Sequence, residues 1–211
     1  MFGQQTRKID TFVAMKWIGE RISFVDEKLK TTVVIRAKDI GWLKGAMGAW
    51  VAMWWTIGIA VTLWTFASVE RSQQEYIIVT VFLAFWIYYA LKVTRSWMWF
   101  MWGKELIKID EAAMYYKRSI RKYGKSFPYL LENVSKLRMH APEEKSFQAA
   151  WEKSPWIIGG ERLEFDYLGK SIKMGRKLDA KDAELLFKLL SKRLDKQIRA
   201  NKKKVSEIQA D

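Results

Sequence analysis

The stretch that decides the fold is GAMGAWVAMWWTIGIAVTLWTFASV, Gly45 to Val69, followed by ERSQQE, Glu70 to Glu75, and YIIVTVFLAFWIYYAL, Tyr76 to Leu91. The first run holds 25 residues without a charge. A helix rises about 1.5 Å per residue, and a hydrocarbon core of roughly 30 Å needs about 20 apolar residues. The first run is therefore long enough to span a bilayer. Beyond Lys92-Val-Thr-Arg95 the second run resumes and ends at Trp102. A polar break of six residues forces two helices to lie side by side and antiparallel. In lipid the backbone must pair within its own segment, so helix is the form expected. The sequence thus predicts a two-span hairpin over residues 41–102.

Charge sets the expected orientation. Nine Lys and Arg precede Gly45 against five acids, and 25 follow from Lys104 onward against 16. The connection holds one Arg and two Glu. Positive charge is retained in the cytoplasm, so both termini are expected there. Lys92 and Arg95 can snorkel to the inner headgroups. Trp97, Trp99 and Trp102 then suit an inner aromatic belt or an exit helix at the surface. A role for Lys92 as an intramembrane ion or proton site stands beside this plainer anchoring.

The remaining composition narrows the chemistry. A net charge of +14 invites a nucleic-acid partner. The excess lies on the side expected to face the cytoplasm, where it serves topology and attraction to anionic lipid. With no Cys and a single His, His140, there is no disulfide, thiolate nucleophile or clustered His metal site within the chain. Neither a phosphate-binding loop nor a dinucleotide glycine pattern occurs. No cleavable signal precedes the first span. No catalytic residue, cofactor or metal is assigned, and a non-enzymatic protein is expected.

Along the chain, residues 1–40 read as a cytoplasmic amphipathic segment. Asp10 to about Lys30 is expected to form one or two helices, lying on the membrane or on the protein's own soluble domain. Thr31-Thr-Val-Val-Ile35 is β-branched and suits a strand or a linker. The first span carries small residues at Gly41, Gly45, Gly48, Ala49, Ala52 and Thr56, spaced in fours. Such spacing lets another helix approach closely. The second span is the plain partner. Trp50, Trp54 and Trp55 beside that stripe suggest contact with other membrane helices, pigments or lipids.

Past Gly103 the hydrophobic period changes from helical to alternating. Strands are expected at Leu106–Asp110, Met114–Ile120, Ser126–Leu131, Val134–Met139, Arg162–Tyr167 and Lys170–Met174, with a short helix through Phe147–Trp151. Pro128 suits an edge strand, and Leu168-Gly169 suits a hairpin turn. Asp179 can cap a final helix whose stripe is Leu185, Leu186, Leu189, Leu190 and Leu194. Residues 201–211 read as a basic disordered tail.

Strands followed by one helix, behind a hairpin, make a recognisable order. Gly103-Lys-Glu105, Tyr129-Leu-Leu-Glu-Asn-Val134, Phe165-Asp-Tyr-Leu-Gly169, Lys173-Met-Gly175 and Leu178-Asp-Ala-Lys-Asp-Ala183 carry the likeness. Over residues 45–195 the chain resembles bacterial membrane-anchored pleckstrin-homology-like (PH-like) proteins. The resemblance implies an α+β membrane protein in which residues 103–200 form a PH-like antiparallel sheet or partly open barrel, closed at one end by the helix. It implies binding or scaffolding at the inner membrane and no catalytic residues. Two functions follow as expectations. One is a scaffold or accessory subunit of a larger membrane complex, or a homo-oligomer. The other is contact with anionic lipid or an acidic partner through Lys117, Arg118, Arg121, Lys122 and Lys125.

Overall fold

A computed structural model of the protein describes residues 15–27, 30–67, 72–140 and 154–208. Strands β1 (Lys16–Ile18), β2 (Ile22–Asp26) and β3 (Thr31–Arg36) lead into helices α1 (Leu43–Ala67) and α2 (Gln73–Trp102). Strands β4 (Gly103–Ile109), β5 (Ala113–Ile120) and β6 (Ser126–Leu130) follow directly. A 3-10 turn (Leu131–Asn133) then precedes β7 (Val134–Met139), β8 (Glu161–Tyr167) and β9 (Lys170–Arg176), and α3 (Ala180–Ile208) ends the order. The strands form two antiparallel sheets, β1-β2-β3-β4-β5-β6 and β7-β8-β9.

The hairpin is inserted inside the first sheet. β3 precedes it and β4 follows it, yet they pair from Thr31↔Ile109 to Arg36↔Lys104. Val33 and Ile35 fall on the same inward face as Ile107 and Ile109, and all four are buried. That shared apolar face fixes the register, because a one-residue slip would turn every one of these side chains to the other side. The sheet is thus discontinuous in sequence, and residues 16–36 belong to it.

This corrects the helical expectation for the N-terminal segment. Gly19 sits at φ 58° and turns β1 back onto β2, a left-handed conformation that a helix interior does not contain. The β-branched β3 then offers a template on which Ile22 and Phe24 alternate inward. Arg21 locks this turn to the rest. Its guanidinium donates to the carbonyls of Arg36 (3.0 Å), Arg176 (3.2 Å) and Lys177 (2.5 Å). Residues 10–14 lie outside the described residues, as does the helix expected at Phe147–Trp151.

The C-terminal helix closes the sheets. Leu186, Leu190 and Leu194 join Ile22, Ile35, Ile107, Leu163, Phe165 and Met174 in one core. Leu185 instead lies 48% exposed. Asp179 precedes the helix as expected, but its carboxylate accepts from Lys38 Nζ at 3.0 Å. Arg193 pairs with Asp26, which also accepts from Thr31 Oγ1 at 2.9 Å. Helix α3 continues through Ile208, where a disordered tail was expected after Ala200. Lys, Glu and Gln are good helix formers, which permits the extension.

Both long helices are apolar enough to cross a bilayer, and only 17% of each apolar window is buried within the protein. Core helices of a soluble domain would be covered far more fully. Ser72 caps α2 with Glu75 in a reciprocal box, satisfying two end amides. At its other end, α2 passes into β4 without a linker. A Cβ at Gly103 would collide with the carbonyl of Trp99, so glycine alone fits that junction.

Candidate functional site

The junction of α2 with the sheets combines buried rings, cations and a buried carboxylate. Ser96, Trp99 and Phe100 are buried there. Arg176 of β9 lies over the Trp99 ring at 4.7 Å, and Lys177 lies over Phe100 at 5.1 Å. Ser96 Oγ donates to the Pro155 carbonyl at 2.9 Å. Such cation–ring contacts strengthen as water is excluded. They hold the sheet domain in one orientation against the helix.

Behind this contact lies a buried polar network. Glu105 holds an inward position of β4, in phase with Ile107 and Ile109, and is 1% exposed. Its carboxylate accepts from Gly175 N at 2.7 Å, Arg176 N at 3.1 Å and Tyr116 Oη at 3.1 Å. It thereby joins β4 of one sheet to β9 of the other. Arg118 Nε donates to Tyr116 Oη at 2.7 Å, and Arg118 and Arg176 share Glu161 at 3.2 and 3.0 Å. Burial, and then the Glu105 charge, push the Tyr116 phenol far above its usual range.

Burial alone would raise the Glu161 pKa, but Arg176 and then Arg118 outweigh it and hold the carboxyl below its ordinary value of 4.5. A depressed folded pKa contributes stability above the unfolded pKa, and that contribution is lost as pH falls through the folded value. Glu161→Gln should therefore flatten the acid side of a stability–pH curve below about pH 4.5 and leave the slope near neutrality unchanged. Thermal melts across that window would show an unaltered acid slope if Glu161 carried none of the effect.

Facing the hairpin, the same arginines line a cleft of about 910 Å³. Its apolar wall includes Leu91, Met98, Ile120, Ile157 and Ile158, and its polar rim includes Lys92, Arg95 and Tyr123. Lys92 and Arg95 are both exposed. Lys92 leans over the Tyr88 ring at 5.5 Å. Among the described residues, neither cation enters an ion pair.

No family model, curated protein or solved structure matches this chain.

The structure divides the small-residue stripe. Gly48 lies under the Trp97 indole, whose Nε1 donates to the Lys44 carbonyl at 3.0 Å. Gly41 falls in the turn before α1, at φ 54°. Gly45, Ala49, Ala52 and Thr56 remain exposed, and nothing lies within 4 Å of a Cβ built at Gly45. A close helix contact lies at Gly58, outside the stripe, where a Cβ would overlap the Trp86 ring. Trp86 cannot turn away freely, because its Nε1 donates to the Trp54 carbonyl at 3.1 Å. Gly58→Leu should therefore destabilise the hairpin by about 1–3 kcal/mol or more, whereas Gly45→Leu should leave it unchanged. Thermal melts of the detergent-solubilised variants compare the two directly.

The tryptophans expected to reach outward are used largely within the chain. Trp54 stacks on Trp50 at 4.9 Å, and Trp50 meets Trp156 edge-on at 5.0 Å. Trp55 Nε1 donates to Thr94 Oγ1 at 3.0 Å, and its ring meets Trp86. Trp99 is buried beneath Arg176. Trp102 carries Arg121 at 4.2 Å. Of the basic set, Arg121, Lys122 and Lys125 are exposed around the β5–β6 turn, and Lys117 is half-buried. Arg118 is occupied by Tyr116, Glu161 and the Lys173 carbonyl. Glu161 and Arg176 fall in no motif. The one available signal was Glu105 falling in phase with two inward isoleucines.

Proposed function

We propose that the protein is a two-span membrane protein whose hairpin holds a PH-like cytoplasmic domain at a fixed angle to the bilayer. In this role it is a non-enzymatic scaffold or accessory subunit of a larger bacterial inner-membrane assembly. The carrying observation is the insertion of the hairpin between two fully paired strands, which ties the sheet domain to the helices at two points, one of them the direct passage of α2 into β4. Two antiparallel sheets closed by a C-terminal helix support the PH-like reading. The exposed column Gly45, Ala49, Ala52 and Thr56 supports a helix-packing face toward another membrane protein. The charge distribution supports cytoplasmic termini.

The test is purification in mild detergent with mass analysis, using Gly45→Leu and Ala52→Leu beside the unaltered chain. A stoichiometric membrane partner that is lost from both variants, with the hairpin still intact, is the expected result. Unchanged composition in both variants would remove the scaffold assignment. The exposed Arg121, Lys122 and Lys125 beside Trp102 favour a second reading, in which this basic face meets anionic lipid headgroups.

A further inference from the structure

We infer that the cleft between α2 and the sheets is a binding site for one anionic phospholipid, with its phosphate held by Lys92 and Arg95. The inference rests on the reading that the hairpin crosses a bilayer. Three observations carry it. The first is level. Lys92 lies 16 residues past Tyr76, roughly 24 Å along a helix, so it and Arg95 reach the inner edge of a hydrocarbon core of roughly 30 Å. The second is charge. Glu161 and the buried Glu105 offset Arg118 and Arg176 on the inner wall. Lys92 and Arg95 have no such partner among the described residues, and two uncompensated cations at headgroup depth suit a phosphodiester. The third is shape. The cleft is about 910 Å³, open, and apolar on the side of Leu91, Ile157 and Ile158. Acyl chains can therefore leave it along α2 toward the bilayer while the headgroup stays under the β5–β6 turn. Tyr123, 84% exposed at the rim, offers a hydroxyl donor.

The site differs from the basic face of the β5–β6 turn in which groups hold the phosphate. Its cations come from the helix, and a headgroup there would sit between hairpin and sheet. Bound lipid would then fill the angle between the two parts of the protein.

The test uses the full chain in neutral detergent, titrated with phosphatidylglycerol or phosphatidylcholine and read by native mass spectrometry. One phosphatidylglycerol per chain should be retained in preference to phosphatidylcholine. Lys92→Gln with Arg95→Gln should weaken that retention about tenfold or more, since each basic side chain near an anionic surface contributes about a factor of five. Lys181→Gln with Lys192→Gln, exposed on α3 and outside the cleft lining, should leave it unchanged. Retention unaffected by the first pair, or abolished by the second, would overturn the cleft assignment. Displacement by soluble glycerol phosphate at equal concentration would also overturn it, in favour of a free-phosphate site. Alkaline carbonate extraction separates the two readings. Release of the protein from membranes would sink the spanning hairpin and the lipid site together. Protein that stays in the membrane while the first pair changes nothing would sink the lipid site alone.

Discussion

Glu105→Ala should cost about 3–5 kcal/mol of sheet-domain stability, the range for removing one member of a buried charged set. The carboxylate is 1% exposed and accepts three hydrogen bonds, two of them from the β9 amides of Gly175 and Arg176. Those amides face the other sheet, so no ladder partner replaces the carboxylate when it is gone. Each donor left without a partner costs about 1–3 kcal/mol. Arg118 and Arg176 would also lose a nearby negative charge, leaving Glu161 alone to balance both among the described residues. Glu105→Gln should fall between the two. Its carbonyl keeps one acceptor, while its amino group faces a donor or water. Denaturant unfolding of the detergent-solubilised protein measures the loss. Hydrogen exchange at Gly175 and Arg176 locates it, with protection expected to fall in the order wild type, Gln, Ala. An Ala variant within about 1 kcal/mol of wild type would mean that the carboxylate is not what joins the sheets.

Elements that declare themselves locally were legible in the sequence. The two long apolar helices follow from run length and lack of charge. The β8–β9 hairpin follows from alternating Leu163, Phe165 and Tyr167 and from Leu168-Gly169, which adopt φ 48° and 77°. The stripe of α3 follows from helical spacing, with Leu186 and Leu190 fully buried. What could not be read were relations between distant segments. The pairing of Thr31 with Ile109 joins positions separated by the whole hairpin, and no local pattern encodes it. The N-terminal hairpin went unread for the same reason. Its short strands are stabilised by β3, whose own place depends on β4. In the candidate site, Lys92 and Arg95 were visible as cations near a helix end. Arg176, Ile157 and Ile158, which complete the cleft, come from segments whose approach depends on the tertiary fold. In the hairpin, columns of residues four apart drew attention to Gly45 and Gly48. The close contact at Gly58 is a single glycine under one Trp ring and repeats in no column.

A chain in which the hairpin is removed and Arg36 is joined to Lys104 through a short turn should fold as a soluble sheet domain, whereas residues 104–208 alone should not. Arg36 and Lys104 are direct partners at the end of the β3–β4 ladder. A two-residue turn such as Asn-Gly closes an antiparallel pair at that point, so β3 and β4 would become an ordinary β-hairpin. The graft keeps Ile22, Val33 and Ile35 in the core, and it keeps Arg21 on the carbonyls of Arg36, Arg176 and Lys177. The shorter fragment loses all of them. It would leave Ile107 and Ile109 uncovered on β4 and would turn an interior strand into an edge. Three large apolar side chains lost from one face cost about 2–5 kcal/mol each on truncation to Ala. Their sum is comparable with the whole stability of a domain, about 5–15 kcal/mol. Circular dichroism melts should therefore show one cooperative transition for the graft and none for the fragment. A fragment as cooperative and as stable as the graft would show that β1–β3 is an addition to the domain. The opposite result makes the hairpin an insertion within the sheet, so that any tilt of α2, which passes into β4 without a linker, must turn the sheet domain with it.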